Sequence, residues 1–341
     1  MFAGLGGIGQ RHLRNLCAVI NEKIEIIAFR ERKLDFSLDN KLDIERGVSL
    51  EGKYNITVYD DLRKALSQNP QMAFITNPTS KHLSVALEIA NANCDFFIEK
   101  PLSHNQDNLE DLSRIVSERS IIAFVGYQNR YHPCIKKTKE LLQQGRIGDV
   151  MAVNIEIGEY LPGWHKYEDY RSMYAAKSDL GGGVILSQIH EFDYLYYFWG
   201  MPKSVYTIGG KFSDLEIDVE DTASTMMEYD MEHYRFPVHV HQDYLQNPPA
   251  RTCKIIGKNG KICFDLIYNK LELYGENGNK EIDLEYDSFE RNDMFIEEIQ
   301  SFLKSVKDRT EPEISIKDGI ASMRIALSAK ESMVTKNIVF L

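Results

Sequence analysis

Short apolar runs alternate with helically spaced apolar positions over the first third of the chain. Glu25–Phe29, Met72–Ile75, Asp95–Ile98 and Ile121–Val125 read as strands. Leu83, Ala86, Leu87 and Ala90 recur at helical spacing, with Thr79 or Ser80 placed to cap that helix. Strand and helix in turn predict parallel strands joined by right-handed crossovers, an α/β doubly wound sheet. Beyond about residue 145 the period changes. Asp149–Gly158, Ser204–Phe212, Asp221–Asp230 and Tyr234–Tyr244 read as successive strands, and Lys258-Asn259-Gly260-Lys261 as a hairpin turn between Cys253–Ile256 and Ile262–Phe264. That run predicts a second α/β domain built on a large, open, mostly antiparallel sheet. Helices close the chain at Arg291–Val306 and Lys317–Met333. A junction between residues 120 and 130 divides a first domain, 1–122, from a second, 123–341.

Length and composition narrow the class. The 341 residues are 43% hydrophobic, enough for two sizeable cores without disulfide or metal staples. Forty basic against fifty-one acidic residues leave a net charge of −11, which argues against a nucleic-acid partner. No apolar run reaches the roughly 18 residues of a membrane span, and no signal peptide is visible. Five scattered cysteines (Cys17, Cys94, Cys134, Cys253, Cys263) read as reduced thiols of a cytoplasmic protein.

The first candidate for chemistry is Gly4-Leu5-Gly6-Gly7-Ile8-Gly9. This G-x-G-x-x-G turn lets backbone approach a pyrophosphate lying on the next helix's N-terminus. Glu31, 22 positions beyond Gly9, ends the second strand, where a ribose-hydroxyl acceptor belongs. Glu31 favours NAD, while its neighbours Arg30 and Arg32 could instead hold the 2′-phosphate of NADP; the balance tips slightly to NAD. Only Met1, Phe2 and Ala3 precede the glycines, so either the start is truncated or the first strand is minimal, and a sheet should tolerate so short a centre poorly.

Two further residues suit proton and hydroxyl chemistry. Lys100, in Glu99-Lys100-Pro101, falls at a carboxyl strand end, where it can steady a developing alkoxide. His190, after Gly181-Gly182-Gly183, titrates in a range suited to taking an alcohol proton. Read singly, a surface lysine and a satisfied core histidine explain them better. His239, His241 and Asp243 alternate along one strand; a polar sheet face or subunit contact explains them better than a metal.

Taken in order, these pieces resemble the glucose–fructose oxidoreductase / inositol dehydrogenase / MocA family. The resemblance covers nearly the whole chain. It rests on the glycine turn, Thr76-Asn77-Pro78 with His82, Glu99-Lys100-Pro101-Leu102, Gly126-Tyr127-Gln128-Asn129-Arg130-Tyr131 with Pro133, and the glycine run with His190 and Asp193. It implies a Rossmann nucleotide-binding domain followed by an open-sheet domain, with a sugar or polyol held between them. Lys100 and His190 would be the catalytic pair. Gly4, Gly6, Gly7, Ile8, Gly9, Arg30, Glu31, Arg32, Thr76, Asn77, Pro78, His82, Glu99, Lys100 and Gln128 would face the cofactor. Asn129, Arg130, Trp164, Tyr170, Arg171, Lys177 and Ser187 would lie near substrate, together with Lys100 and His190. No metal is implied. The family's aspartate before that histidine is replaced by Leu186 and Ser187. An NAD(P)-dependent dehydrogenase of CH–OH groups, among whose relatives are enzymes of bacterial surface-sugar metabolism, is the expected function; a non-catalytic nucleotide-binding sensor or regulator is the alternative. A homodimer or homotetramer is expected.

Overall fold

The computed structural model describes residues 1–20, 22–31, 36–39 and 43–341. Its first sheet holds strands β1 (Phe2–Ala3) and β2 (Ile26–Phe29). After a small hairpin of β3 (Ser37–Leu38) and β4 (Ile44–Glu45) come β5 (Ile56–Tyr59), β6 (Met72–Ile75), β7 (Asp95–Glu99) and β8 (Ala123–Gly126). The six sheet strands run parallel in the order β5-β2-β1-β6-β7-β8. Helices α1 (Gly7–Val19), α2 (Leu50–Tyr54), α3 (Leu62–Leu66), α4 (Thr79–Asn91) and α5 (Leu109–Glu118) fill the crossovers. The doubly wound sheet is therefore as the periodicity predicts. β8 completes it as an edge strand.

The two-residue β1 sits at the centre of this sheet, contrary to the expectation that so short a strand would be poorly tolerated. Its register is complete on both sides: Phe2 opposes Ala28 and Phe74, Ala3 opposes Phe29 and Ile75. Packing compensates for its length. Phe2, Phe74, Phe97 and Phe124, one from each of β1, β6, β7 and β8, stack at centroid distances of 4.9, 5.5 and 5.5 Å. Phe302 meets three of these rings edge-on from the far end of the chain. Such offset and edge contacts add to area burial, by about 1 kcal/mol per pair.

The second domain follows α6 (Pro133–Gln143). Its strands are β9 (Val150–Gly158), β10 (Ser204–Gly210), β11 (Thr222–Asp230), β12 (Arg235–Asp243), β13 (Ala250–Gly257), β14 (Gly260–Asp265), β15 (Lys270–Gly275), β16 (Lys280–Glu285) and β17 (Val339–Phe340). They form one open sheet, β16-β15-β14-β13-β9-β12-β11-β10-β17, antiparallel except at β9–β12. One face packs on α7 (Val184–Ser187), α8 (His190–Trp199) and α10 (Ile316–Thr335); the other leaves Met151, Ile208 and Met226 exposed. The 18-residue α9 (Arg291–Asp308) returns to the first domain and brings Phe302 onto its sheet. Among the described residues no helix is long and apolar enough to cross a membrane.

Candidate active site

The site begins at the carboxyl ends of β1 and β6, where the strand order reverses and an α/β sheet opens a crevice. Gly4 leaves β1 with φ +95°, a backbone state that disfavours any side chain, and a Cβ there would strike the Asn77 backbone at 2.8 Å. A Cβ on Gly9 would meet the Gly4 carbonyl at 2.8 Å, so Gly9 lets α1 pack close under the turn. Thr76 Oγ1 donates to the Gly4 carbonyl at 2.8 Å. Gly6 faces open space, and α1 opens without a side-chain cap or an acidic residue in its first turn. Free N-terminal amides at the positive helix end, with room above them, fit the pyrophosphate of a dinucleotide.

A cavity of about 910 Å³ extends from this turn into the second domain. Of the predicted cofactor residues, Gly4, Gly6, Gly7, Ile8, Arg30, Glu31, Thr76, Asn77, Pro78, His82, Glu99, Lys100 and Gln128 line it, and Gly9 lies beneath. Arg32 lies outside the described residues. Arg30 is committed elsewhere: its Nη1 donates to Glu51 at 2.6 Å. His82 turns its ring nitrogens to the carbonyls of Pro101 and Asn77, each at 2.8 Å. It ties the two turns together instead of offering a nitrogen to a ligand. α4 starts at Thr79 with no side-chain cap from Thr79 or Ser80.

Lys100 and His190 come from different domains and line the same cavity. Lys100 Nζ donates to the carbonyl of Ser187 at 2.8 Å, which ties β7's end to the segment just before α8. His190 is buried; desolvation first, then the charges of Lys100, Arg251 and Arg291, push its pKa well below the ordinary imidazole value. The ring is therefore neutral at physiological pH. The Gln128 amide lies 3.1 Å from His190 Nε2, while Nδ1 has no partner. An amide can present either its carbonyl or its NH₂ to that nitrogen, so Gln128 can hold the imidazole in both protonation states.

Several predicted substrate residues are elsewhere. Arg130 is buried against Asp193, with Nε–Oδ2 2.9 Å and Nη2–Oδ1 2.7 Å, and its Nη1 reaches Asp318 at 3.1 Å. Burial opposes its charge, but the two carboxylates hold it protonated. This ion pair fixes Gln128 and His190 relative to one another; neither Arg130 nor its buried neighbour Asn129 lines the cavity. Arg171 pairs on the surface with Asp169 and Glu216. Tyr170 Oη accepts from the Glu216 amide at 3.2 Å, and Lys177 also lies off the cavity. Trp164 does line it, edge-on to Tyr244 at 5.4 Å, with its indole N–H free. Ser187 contributes its carbonyl, as above.

Sequence reading missed Arg11, Arg251 and Arg291. Arg11 follows the glycine turn by two positions, and the other two arise from β13 and the start of α9. Nothing local marks them; Arg251 arrives on the second sheet, and Arg291 meets Arg11 because α9 returns against α1. His12 and Glu298 were missed as well, and both lie against the predicted Glu99. His12 Nε2 lies 2.6 Å from Glu99 Oε1, behind the cavity wall, and Glu99 Oε2 accepts from the Lys100 amide at 3.0 Å. Glu298 is fully buried beside them with both oxygens unpartnered; desolvation, then Glu99, raises its pKa well above the usual carboxyl range. The His239–Asp243 stretch forms a polar patch on the open sheet face, with His241 held between Ser224 and Asp243.

Comparison with known proteins agrees with this architecture. Residues 1–127 match a family model described as an oxidoreductase family with an NAD-binding Rossmann fold, and residues 135–263 match the GFO/IDH/MocA C-terminal domain. A myo-inositol 2-dehydrogenase from Thermotoga maritima is 27% identical, the match covering 98% of this chain and 96% of that protein. Among solved structures, a levoglucosan dehydrogenase in complex with NADH and levoglucosan superposes with a TM-score of 0.81 at 16% identity, covering 99% of this chain and 98% of that one. A myo-inositol 2-dehydrogenase from Lactobacillus plantarum does so at 0.78 and 19%, covering 100% and 98%. With both halves matched in order, the chain belongs to the GFO/IDH/MocA family of oxidoreductases and carries that family's NAD-binding Rossmann domain at its N-terminal end.

Proposed function

We propose that this protein moves a hydride between a nicotinamide dinucleotide and a hydroxyl-bearing carbon of a sugar or polyol. The observation that carries the reading is the meeting of Lys100 and His190, from separate domains, in the cavity that starts at the glycine turn. The relatives named for inositol and levoglucosan support the substrate class. Bound nicotinamide supplies the hydride acceptor or donor. In the direction of oxidation, neutral His190 takes the hydroxyl proton on a ring nitrogen, and Gln128 steadies the imidazolium that results. Lys100 spends one N–H on the Ser187 carbonyl and has two left to orient the hydroxyl and stabilise the developing alkoxide. A sensor or regulator would have no use for this pair, which favours the enzyme.

NAD is the preferred cofactor in this reading. Glu31 lines the cavity and repels a 2′-phosphate, and the Arg30 charge beside it is already offset by Glu51. The exposed sheet face with Met151, Ile208 and Met226 suits a homodimer or homotetramer. Five free thiols suit a reducing, cytoplasmic setting.

The test is steady-state kinetics on a panel of sugars and polyols with Lys100→Met and His190→Asn. Each substitution is expected to lower kcat/KM by roughly 10²–10⁴-fold while the NADH Kd shifts by less than about threefold. Turnover retained in both variants overturns the assignment.

A further inference from the structure

Two of the four arginines that line the cavity have an acid. Arg30 has Glu51 at 2.6 Å, and Arg251 has Glu191 at 2.9 and 3.1 Å. Arg11 and Arg291 do not: among the described residues no carboxylate comes within 4.0 Å of either guanidinium. This is notable in a chain carrying eleven more acids than bases.

The fold brings these two cations together. Arg291 opens α9, and Phe295, one turn on, lies on the same face. Arg11 Cζ sits 4.6 Å over the Phe295 ring. Asn15 of α1 and Asn292 of α9 exchange hydrogen bonds at 3.2 and 3.0 Å and clamp the two helices at this point. Both arginines line the cavity; Arg11 is half-buried and the Arg291 side chain is exposed to it. Burial and then the Arg291 charge push Arg11 down to about 10, and Arg291 also acts on His190. The acids that act on them from a distance are Glu159 toward Arg291 and Glu99 toward Arg11. Glu99 is already held by His12 and the Lys100 amide.

We propose that Arg291 and Arg11 form an anion subsite beside His190, and that the sugar oxidised here carries a carboxylate or a phosphate. Two guanidinium groups set on one cavity wall without a carboxylate between them repel one another, and their planar forks match the oxygens of either group. The cofactor's own pyrophosphate is served at the glycine turn by the free amides of α1; Arg291 acts instead on His190 and Arg251, at the reacting end. The inference rests on the reading of the cavity as a sugar-oxidising site.

Calorimetric titration of the NADH-loaded protein tests it, because binding is read without turnover. The probes are glucose, galactose and N-acetylglucosamine, each beside its uronate and its 6-phosphate. At least one charged form should bind tenfold or more tightly than its neutral parent, and the uronate and phosphate arms separate the two sources of charge. Arg291→Gln should remove roughly tenfold to a hundredfold of that affinity, and Arg11→Gln likewise. Charged forms that bind no better than their parents, or no sugar binding at all, overturn the proposal. So does an Arg291→Gln loss that falls on NADH. Efficient turnover of neutral sugars alone would sink the subsite and keep the oxidoreductase reading. Arginine-dependent binding of a uronate without redox change would keep the subsite and sink that reading.

Discussion

His190 and Glu298 show how burial alone can set a residue's chemistry. With its pKa driven well below the ordinary imidazole value, His190 stays a base across the range where a free histidine would be losing that ability. The acid limb of kcat/KM for oxidation should therefore lie well below the ordinary imidazole range, and a limb centred near 6.5 would contradict the assignment. Glu298 goes the other way. Its folded-state pKa is raised, so the native state binds a proton the unfolded chain releases, and stability falls as pH rises from about 4.5 toward the folded value. Glu298→Gln mimics the protonated group and should raise Tm more at pH 8 than at pH 5. An equal shift at both would mean that the folded-state pKa is not raised above the unfolded value. At this scale the sequence was partly legible. Lys100 and His190 stood out through their motifs, whereas Glu298 and Arg291 sit in an ordinary amphipathic helix with no mark of what they face.

Among the elements, the segment Gln128–Tyr131 and helix α8 are joined by Arg130 and Asp193. The H-x-x-D spacing is explained by this joint: His190 points into the cavity while Asp193, nearly a turn later, accepts from a cation beneath it. Removing one member of a buried pair leaves the other charge uncompensated and costs about 3–5 kcal/mol. Arg130→Met should show a loss of that order in chemical denaturation; a loss under about 1 kcal/mol would mean the joint carries little. The periodic elements were readable because each buries one face: the starts of β6, β7 and α9 coincide with their apolar patterns. β5, β15 and β16 escaped notice. Glu281, Asp283 and Glu285 alternate with half-buried Ile282 and Leu284 on the sheet's outer strand, where one weak apolar face gives little contrast. The surface residues Tyr170 and Arg171 were misplaced for a different reason. Aromatic and basic composition around Trp164 suggested one continuous substrate wall, but a chain of short turns sends Trp164 inward and Arg171 out to Asp169 and Glu216.

For the molecule as a whole, the open face of the second sheet, with Met151, Ile208 and Met226 exposed, is the surface on which the proposed oligomer would form. Tyr206 lies opposite Met226 across β10–β11, and Ile208 is two residues along on the same face. Replacing both Ile208 and Met226 by Lys should convert the assembly to monomers in sedimentation velocity. A wild-type chain that already sediments as a monomer would remove the oligomer from the account. The two-domain plan was legible because the hydrophobic period changes once, near residue 145. What could not be read was that α9 crosses back, since its apolar stripe says that it packs but not on which sheet.

That crossing has a mechanical consequence. Where Asn15 and Asn292 grip one another, the two halves of the protein cannot swing apart without breaking a doubly bonded amide pair and pulling Phe302 off the stacked rings. The opposite rim has only short turns between residues 160 and 180. The α1–α9 joint is therefore the braced side of the cleft, and the aromatic turns are its less braced side.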